Sequence, residues 1–264
     1  MSDRLSMRGV WKSYRAGVRG CSAAVSVLRN VDLDVSAGDI VGVLARAAAG
    51  KTTLLMCAAG LLRPDQGSIS WLGSPPRRDL AARPDGIAYA GDRPFPYGFL
   101  SVREALEYAA IVRDLPLRDS AGRVTAALER AGLGAVADRR VDALDGGALA
   151  RLSLAGALLA HPRLLLVDDL PAACDAVSAP ELAAILRAAA AEGSGVVVAG
   201  RLVSWLSSDE SHAGATRTFV LEAGRLESTC EGPRIAATRV ASAFPRARVA
   251  EAPLPSAAPE NRAR

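Results

Sequence analysis

Lysine is nearly missing from this chain: of 32 basic residues only Lys12 and Lys51 are lysine, so a lysine at a chemically suggestive position is a sharp signal. Histidine is as scarce, with His161 and His212 alone. Both read as structural rather than catalytic, His161 in a loop before an apolar strand and His212 in a polar insertion. Aromatic residues make up 4% of the chain. The four cysteines, Cys21, Cys57, Cys174 and Cys230, lie far apart and without paired metal spacing. That pattern excludes a zinc ribbon or a disulfide-stapled module, and with no secretory leader the thiols read as reduced and cytosolic. No apolar run approaches the ~18 to 20 residues that cross a bilayer, so a membrane link would come through a partner.

A broad basic face is missing too. The net charge is +4, and residues 232–264 account for all of it, with Arg234, Arg239, Arg246, Arg248, Arg262 and Arg264 against Glu251 and Glu260. A neutral remainder argues against specific nucleic-acid binding. The tail reads as a solvated, partly disordered end, with weak contact to anionic lipid or RNA as the alternative. What is present is a chain of 264 residues, 50% apolar and rich in Ala, Leu, Val and Gly. This composition suits one packed α/β domain with two lobes.

Residues 5–14 and 25–35 read as strands, and residues 39–45 form a short apolar run of the kind buried in a parallel sheet. The run leads into Gly50-Lys51-Thr52-Thr53 and a helix closed by Gly60. Pro64, Asp65 and Gly67 then make a turn before a strand at residues 68–71. Between about 100 and 160 the pattern becomes helical, opening on a capping box of Ser101 and Glu104. Strand character resumes at 164–168, followed by a helix capped by Ser178 with Glu181 three residues on, and a strand at 195–199. Strands alternating with helices imply right-handed crossovers and a mostly parallel sheet.

Lys51 carries the chemical signal. A loop that cradles phosphates needs converging backbone N–H groups, a Lys to bridge charge and a hydroxyl for Mg²⁺, at the spacing Gly-x-x-x-x-Gly-Lys-Ser/Thr. Here the segment is Ala45-Arg46-Ala47-Ala48-Ala49-Gly50-Lys51-Thr52, with Ala45 in place of the first Gly. Downstream runs Gly60-Leu-Leu-Arg-Pro-Asp-Gln-Gly67, then Leu144-Asp145-Gly146-Gly147-Ala148 with Arg151, then residues 158–168 ending in Asp168. In this order and spacing, residues 5–228 resemble the ATP-binding subunit of ABC transporters. The resemblance implies an α/β, P-loop NTPase-like fold: a mostly parallel sheet with an antiparallel β subdomain and an inserted helical subdomain. It sets an ATPase domain at 1–231, the helical subdomain at about 93–160, and the tail at 232–264.

The same resemblance implies the site. ATP and Mg²⁺ would be held by Ala45, Ala48, Ala49, Gly50, Lys51, Thr52 and Thr53, the metal by Thr52 and, through water, Asp168. Tyr14 stands where the family stacks an aromatic on adenine, an ordinary buried ring being the other reading. Asp145, Gly146 and Gly147 would face the nucleotide of an opposite subunit, and Asp175 matches the D-loop Asp. The implied partners are a polytopic permease and a second ABC ATPase subunit, equal or different, which places the chain in the cytoplasm at the inner face of the cell membrane.

Several positions depart from the family. The signature Ser is Asp145, a carboxylate toward a triphosphate, although Asp is also a good helix N-cap. The general-base Glu is Asp169, whose arm is about 1.5 Å shorter in a reaction that tolerates little misplacement. The Q-loop Gln is Asp92, and where the switch His belongs the chain reads Gly200-Arg201. Ala at 45 and 48 replaces Gly used for close backbone approach and unusual dihedrals. The expectation is nucleotide binding with weak or no hydrolysis. The alternatives are an active homodimeric ATPase, a scaffold that binds no nucleotide and, less well supported, an ABC protein of translation or DNA repair.

Overall fold

A computed structural model of the chain describes residues 3–16, 23–75, 86–91, 95, 97–170, 178–200 and 216–231. Two long strands, β1 (Asp3–Ala16) and β2 (Ala23–Ser36), pair antiparallel. The apolar run that follows is β3 (Ile40–Leu44), and the phosphate-loop segment delivers the chain into α1 (Lys51–Ala58). Strand β4 (Gln66–Trp71) returns to the far side of β1 and completes a three-stranded antiparallel sheet ordered β2-β1-β4. The second sheet takes β5 (Ile87–Ala90), β6 (Leu164–Asp168), β7 (Gly195–Gly200), β8 (Arg217–Glu222) and β9 (Arg225–Glu231) around β3, in the order β5-β6-β7-β3-β8-β9. Every neighbouring pair there is parallel except the β8-β9 hairpin. The fold is the α/β class expected, one mostly parallel sheet beside one antiparallel sheet.

The unbroken apolar runs of β3, β6 and β7 arise because both faces of the parallel sheet are covered. Leu165, Val167, Val196 and Val198 face one core with Leu182, Leu186 and Ala190 of α5 (Ser178–Ala191). Leu164, Leu166, Val197 and Ala199 face the other with Leu54, Leu55 and Ala58 of α1 and the inner side of the antiparallel sheet. Cys57 is fully buried in that second core, and burial pushes its thiol up to about 11, which makes it inert.

The inserted helical region consists of α2 (Val102–Val112), α3 (Leu117–Arg130) and α4 (Gly146–Leu158). The capping box at the start of α2 is complete: Ser101 Oγ accepts from the Glu104 amide, and the Glu104 carboxylate accepts from the Ser101 amide at 2.7 Å. These bonds hold the Glu104 carboxyl below its usual range. Ser101→Ala is expected to cost about 1 kcal/mol in a denaturant titration, because one helix-end donor loses its partner. Helix α4 buries residues on every side, including Ala150, Leu152, Leu154 and Ala157, which is why its sequence lacks a clean apolar stripe. Ser178 is the first described residue of α5, and Glu181 stands three residues on, in its first turn.

The segment Gly60–Gly67 joins the lobes. Gly60 ends α1 in the left-handed region at φ 69°, its amide donating to Cys57 O and the Leu61 amide to Met56 O, a Schellman closure. Trp71 lies over it, and its indole N–H donates to Ala58 O at 2.8 Å, satisfying another helix-end carbonyl. Asp65 reaches back to β1, accepting from Lys12 Nζ at 2.9 Å and from the Ser13 amide at 2.7 Å. Those two donors hold its carboxyl below the usual range. The first of the two lysines therefore has a structural task, fixing the strand segment that precedes Tyr14.

Candidate functional site

The site gathers at the carboxyl ends of β3 and β6, where an open α/β sheet offers a crevice for ligands. Strand β3 ends at Leu44, and the Ala45 amide continues the ladder by donating to Gly200 O at 3.1 Å. Ala45 is buried and does not require a positive φ, so Ala in place of Gly is accommodated there. Ala48 is different: it sits at φ 60°, a left-handed conformation that L-residues other than Gly avoid. Ala48→Gly is expected to stabilise the fold by about 0.5–1 kcal/mol, raising the melting temperature by roughly 2 °C. Gly50 follows at φ 103°, a conformation suited to Gly, and starts α1 with no side-chain cap and no carboxylate in its first turn. The loop thus leaves the positive end of α1 for an anion.

Lys51 is the first residue of α1 and only 6% exposed. Its ammonium donates to Arg46 O at 3.1 Å and Ala45 O at 3.5 Å, and lies 3.9 Å from Asp169 Oδ2. It is folded across the loop, where a phosphate would exchange with those weak contacts. Asp168 ends β6 and is 7% exposed. Its Oδ2 accepts from the Tyr89 hydroxyl at 2.6 Å, while its Oδ1 is buried with no hydrogen-bond partner. A buried carboxylate oxygen left in this state fits a hydrated cation, since hard divalent ions with oxygen ligands keep their waters. Thr52 is exposed in the first turn of α1, available to such an ion. Asp169 leaves the strand at φ 39°, donates its amide to Ala199 O at 2.8 Å and turns its carboxylate toward Lys51.

The other residues singled out in the sequence fall as follows. Tyr14, on β1, is 41% exposed, with its hydroxyl 3.4 Å from Thr53 Oγ1 on α1, so it flanks the loop and is not a buried core ring. Ala49 packs at the margin of the core beside the loop. Asp145 caps α4, accepting from the Ala148 amide at 2.7 Å. Gly146 and Gly147 open that helix, and Gly147 abuts α5 so closely that a Cβ would lie 2.1 Å from Ser178 Oγ. Arg151 pairs with Glu181 of α5. His161 is a surface residue with Nδ1 3.2 Å from Glu192, in agreement with a structural role. Asp92, Asp175, Arg201 and His212 lie outside the described residues. Tyr89 is the site residue that sequence reasoning missed, and the period-two pattern of β5 beside Asp168 is the signal that could have found it.

Comparison with known proteins agrees with this fold. The family model described as "ABC transporter" matches residues 28–172. The lipopolysaccharide export system ATP-binding protein LptB of Acidithiobacillus ferridurans is 30% identical over 86% of this chain and 89% of its own. The pyoverdine export ATP-binding/permease protein PvdT of Pseudomonas savastanoi pv. phaseolicola is 32% identical over 74% of this chain, which spans only 30% of that relative's length. Among solved structures, the dimeric ATP-binding cassette MJ0796, in a post-hydrolysis state with ADP and Pi, superposes with a TM-score of 0.69 at 22% identity, over 84% of this chain and 96% of that one. Among the described residues no helix is long and apolar enough to cross a membrane. A matched family domain and a relative covered almost end to end agree, and this chain belongs to the ABC transporter ATP-binding family.

Proposed function

We propose that the chain is the nucleotide-binding subunit of a membrane transporter, that it holds Mg-ATP, and that it hydrolyses it slowly if at all. ATP, when bound, supplies the β- and γ-phosphates and with Mg²⁺ the charge that the loop is built to meet. Lys51 and the free amides at the start of α1 take the phosphates, Thr52 and Asp168 the metal, and Tyr14 the base. The observation that carries weak turnover is at Asp169: its short carboxylate is drawn back to within 3.9 Å of Lys51. A carboxylate one methylene shorter than Glu and turned toward a cation is poorly placed to orient a water for in-line attack. Asp145 supports the same reading, since its carboxylate is engaged as a helix cap where a γ-phosphate contact would need a neutral donor.

Two relatives support the placement in a transporter. LptB is named an export-system ATP-binding protein, and PvdT an ATP-binding/permease protein. On that basis the chain works at the cytoplasmic face with a polytopic permease and a second cassette, equal or different; where the second cassette is different, it does most of the hydrolysis. The test is a steady-state ATPase assay of the purified chain beside a titration with a fluorescent ATP analogue. Micromolar Mg-ATP binding with turnover far below one per second is the expected result. Turnover of tens per second, stopped by Asp169→Asn, would sink the slow-hydrolysis reading. No binding at all leaves a docking scaffold.

A further inference from the structure

Asp168 has two oxygens in different circumstances. Its Oδ1 is buried without a partner, and its Oδ2 is held by a phenol. The phenol comes from the neighbouring strand by register. In the parallel β5-β6 pair, Tyr89 stands opposite Leu166, and Asp168 lies two residues further along the same face of β6. That makes Tyr89 and Asp168 diagonal neighbours, within reach of a side chain as long as Tyr. The ring has a prepared bed. Gly91, on the same side of the chain as Tyr89, leaves a gap where a Cβ would lie 3.1 Å from the ring edge. The Gly91 carbonyl is pinned to α4 by the Ser153 hydroxyl at 2.9 Å. Tyr89 is 37% exposed, so its hydroxyl could have been satisfied by water. Instead it donates at 2.6 Å to a carboxylate, in the short range of charge-assisted O–H···O⁻ bonds.

We infer that Tyr89 is a positioning residue for the metal: its hydroxyl fixes the Asp168 carboxylate so that Oδ1 is presented to the hydration shell of Mg²⁺. This rests on the Mg-ATP reading above. Groups that orient a metal-binding carboxylate from behind usually carry a tenfold or larger share of the metal affinity. Without the phenol, Asp168 can rotate about its terminal bond, and Oδ2 loses its donor.

The full chain is titrated with a fluorescent ATP analogue in Mg²⁺ and again in EDTA, as wild type and as Tyr89→Phe, with a melting curve of each. The ring is kept in the variant, so packing against Gly91 is kept with it. The expected result is affinity in EDTA equal to wild type and a melting temperature lowered by a few degrees at most, with affinity in Mg²⁺ reduced about tenfold. An unchanged ratio of the two affinities in Tyr89→Phe overturns the inference, as does an equal loss in both conditions, which would mark a general packing role. If wild type binds the analogue in neither condition, or equally with and without Mg²⁺, the Mg-ATP reading itself has failed. The wild-type arm therefore separates the two failures.

Discussion

Replacing Lys51 by Met is expected to weaken Mg-ATP binding about a hundredfold while moving the melting temperature by no more than about 2 °C. Met keeps most of the aliphatic stem, which is buried at the start of α1, and removes only the charge. In the free protein that charge makes modest contacts, two loop carbonyls at 3.1 and 3.5 Å and Asp169 at 3.9 Å. Its desolvation offsets much of what those contacts contribute, and Asp169 is exposed enough for water to replace the lost cation. With phosphate bound the balance changes, because a charge-assisted bond in a partly dry loop is worth roughly 1.5–3 kcal/mol. That range is tenfold to more than a hundredfold in affinity. Calorimetric titration alongside thermal melts separates the two effects. Binding as tight in Lys51→Met as in wild type would remove the phosphate loop from the site.

Gly67→Ala is expected to destabilise the fold by about 3–4 kcal/mol, lowering the melting temperature by roughly 10 °C. Gly67 sits at φ 86°, and a Cβ there would lie 2.2 Å from Gly9 O and 2.5 Å from Arg8 O. Both are backbone atoms of β1, at the register shift where β4 pairs with it. A backbone obstacle cannot swing aside as a side chain does, so β1 and β4 must part. Gly73→Ala is the control: it also has a positive φ, 75°, but nothing lies within 4 Å of its added Cβ. It should lose only the dihedral cost of about 1 kcal/mol. Equal losses at both positions would show that strand approach contributes nothing.

Parts of the molecule were legible in the chain because local chemistry fixes them. The Ser101–Glu104 box forms between residues three apart, so its bonds need no tertiary partner. Gly60 closes α1 through backbone bonds that span only a few residues. The placing of Lys51 after an apolar strand survived because strand, turn and helix are consecutive. The Asp65 clamp on Lys12 and Ser13 was not legible, since it joins residues more than fifty positions apart.

By itself the sequence determined the α/β class and the family, and it pointed to Lys51, because each rests on residue types at fixed short spacings. It also established that Asp stands at 145 and 169. Only the tertiary structure decided what those carboxylates do. Asp145 is engaged with the Ala148 amide, Asp169 leans on Lys51, and Asp168 is gripped by Tyr89 on one oxygen and buried without a partner on the other. Tyr89 and Asp168 are 79 positions apart and meet only because β5 and β6 pair in one register. Register is set by how two apolar faces pack, and a shift of one residue would turn Tyr89 to the opposite face.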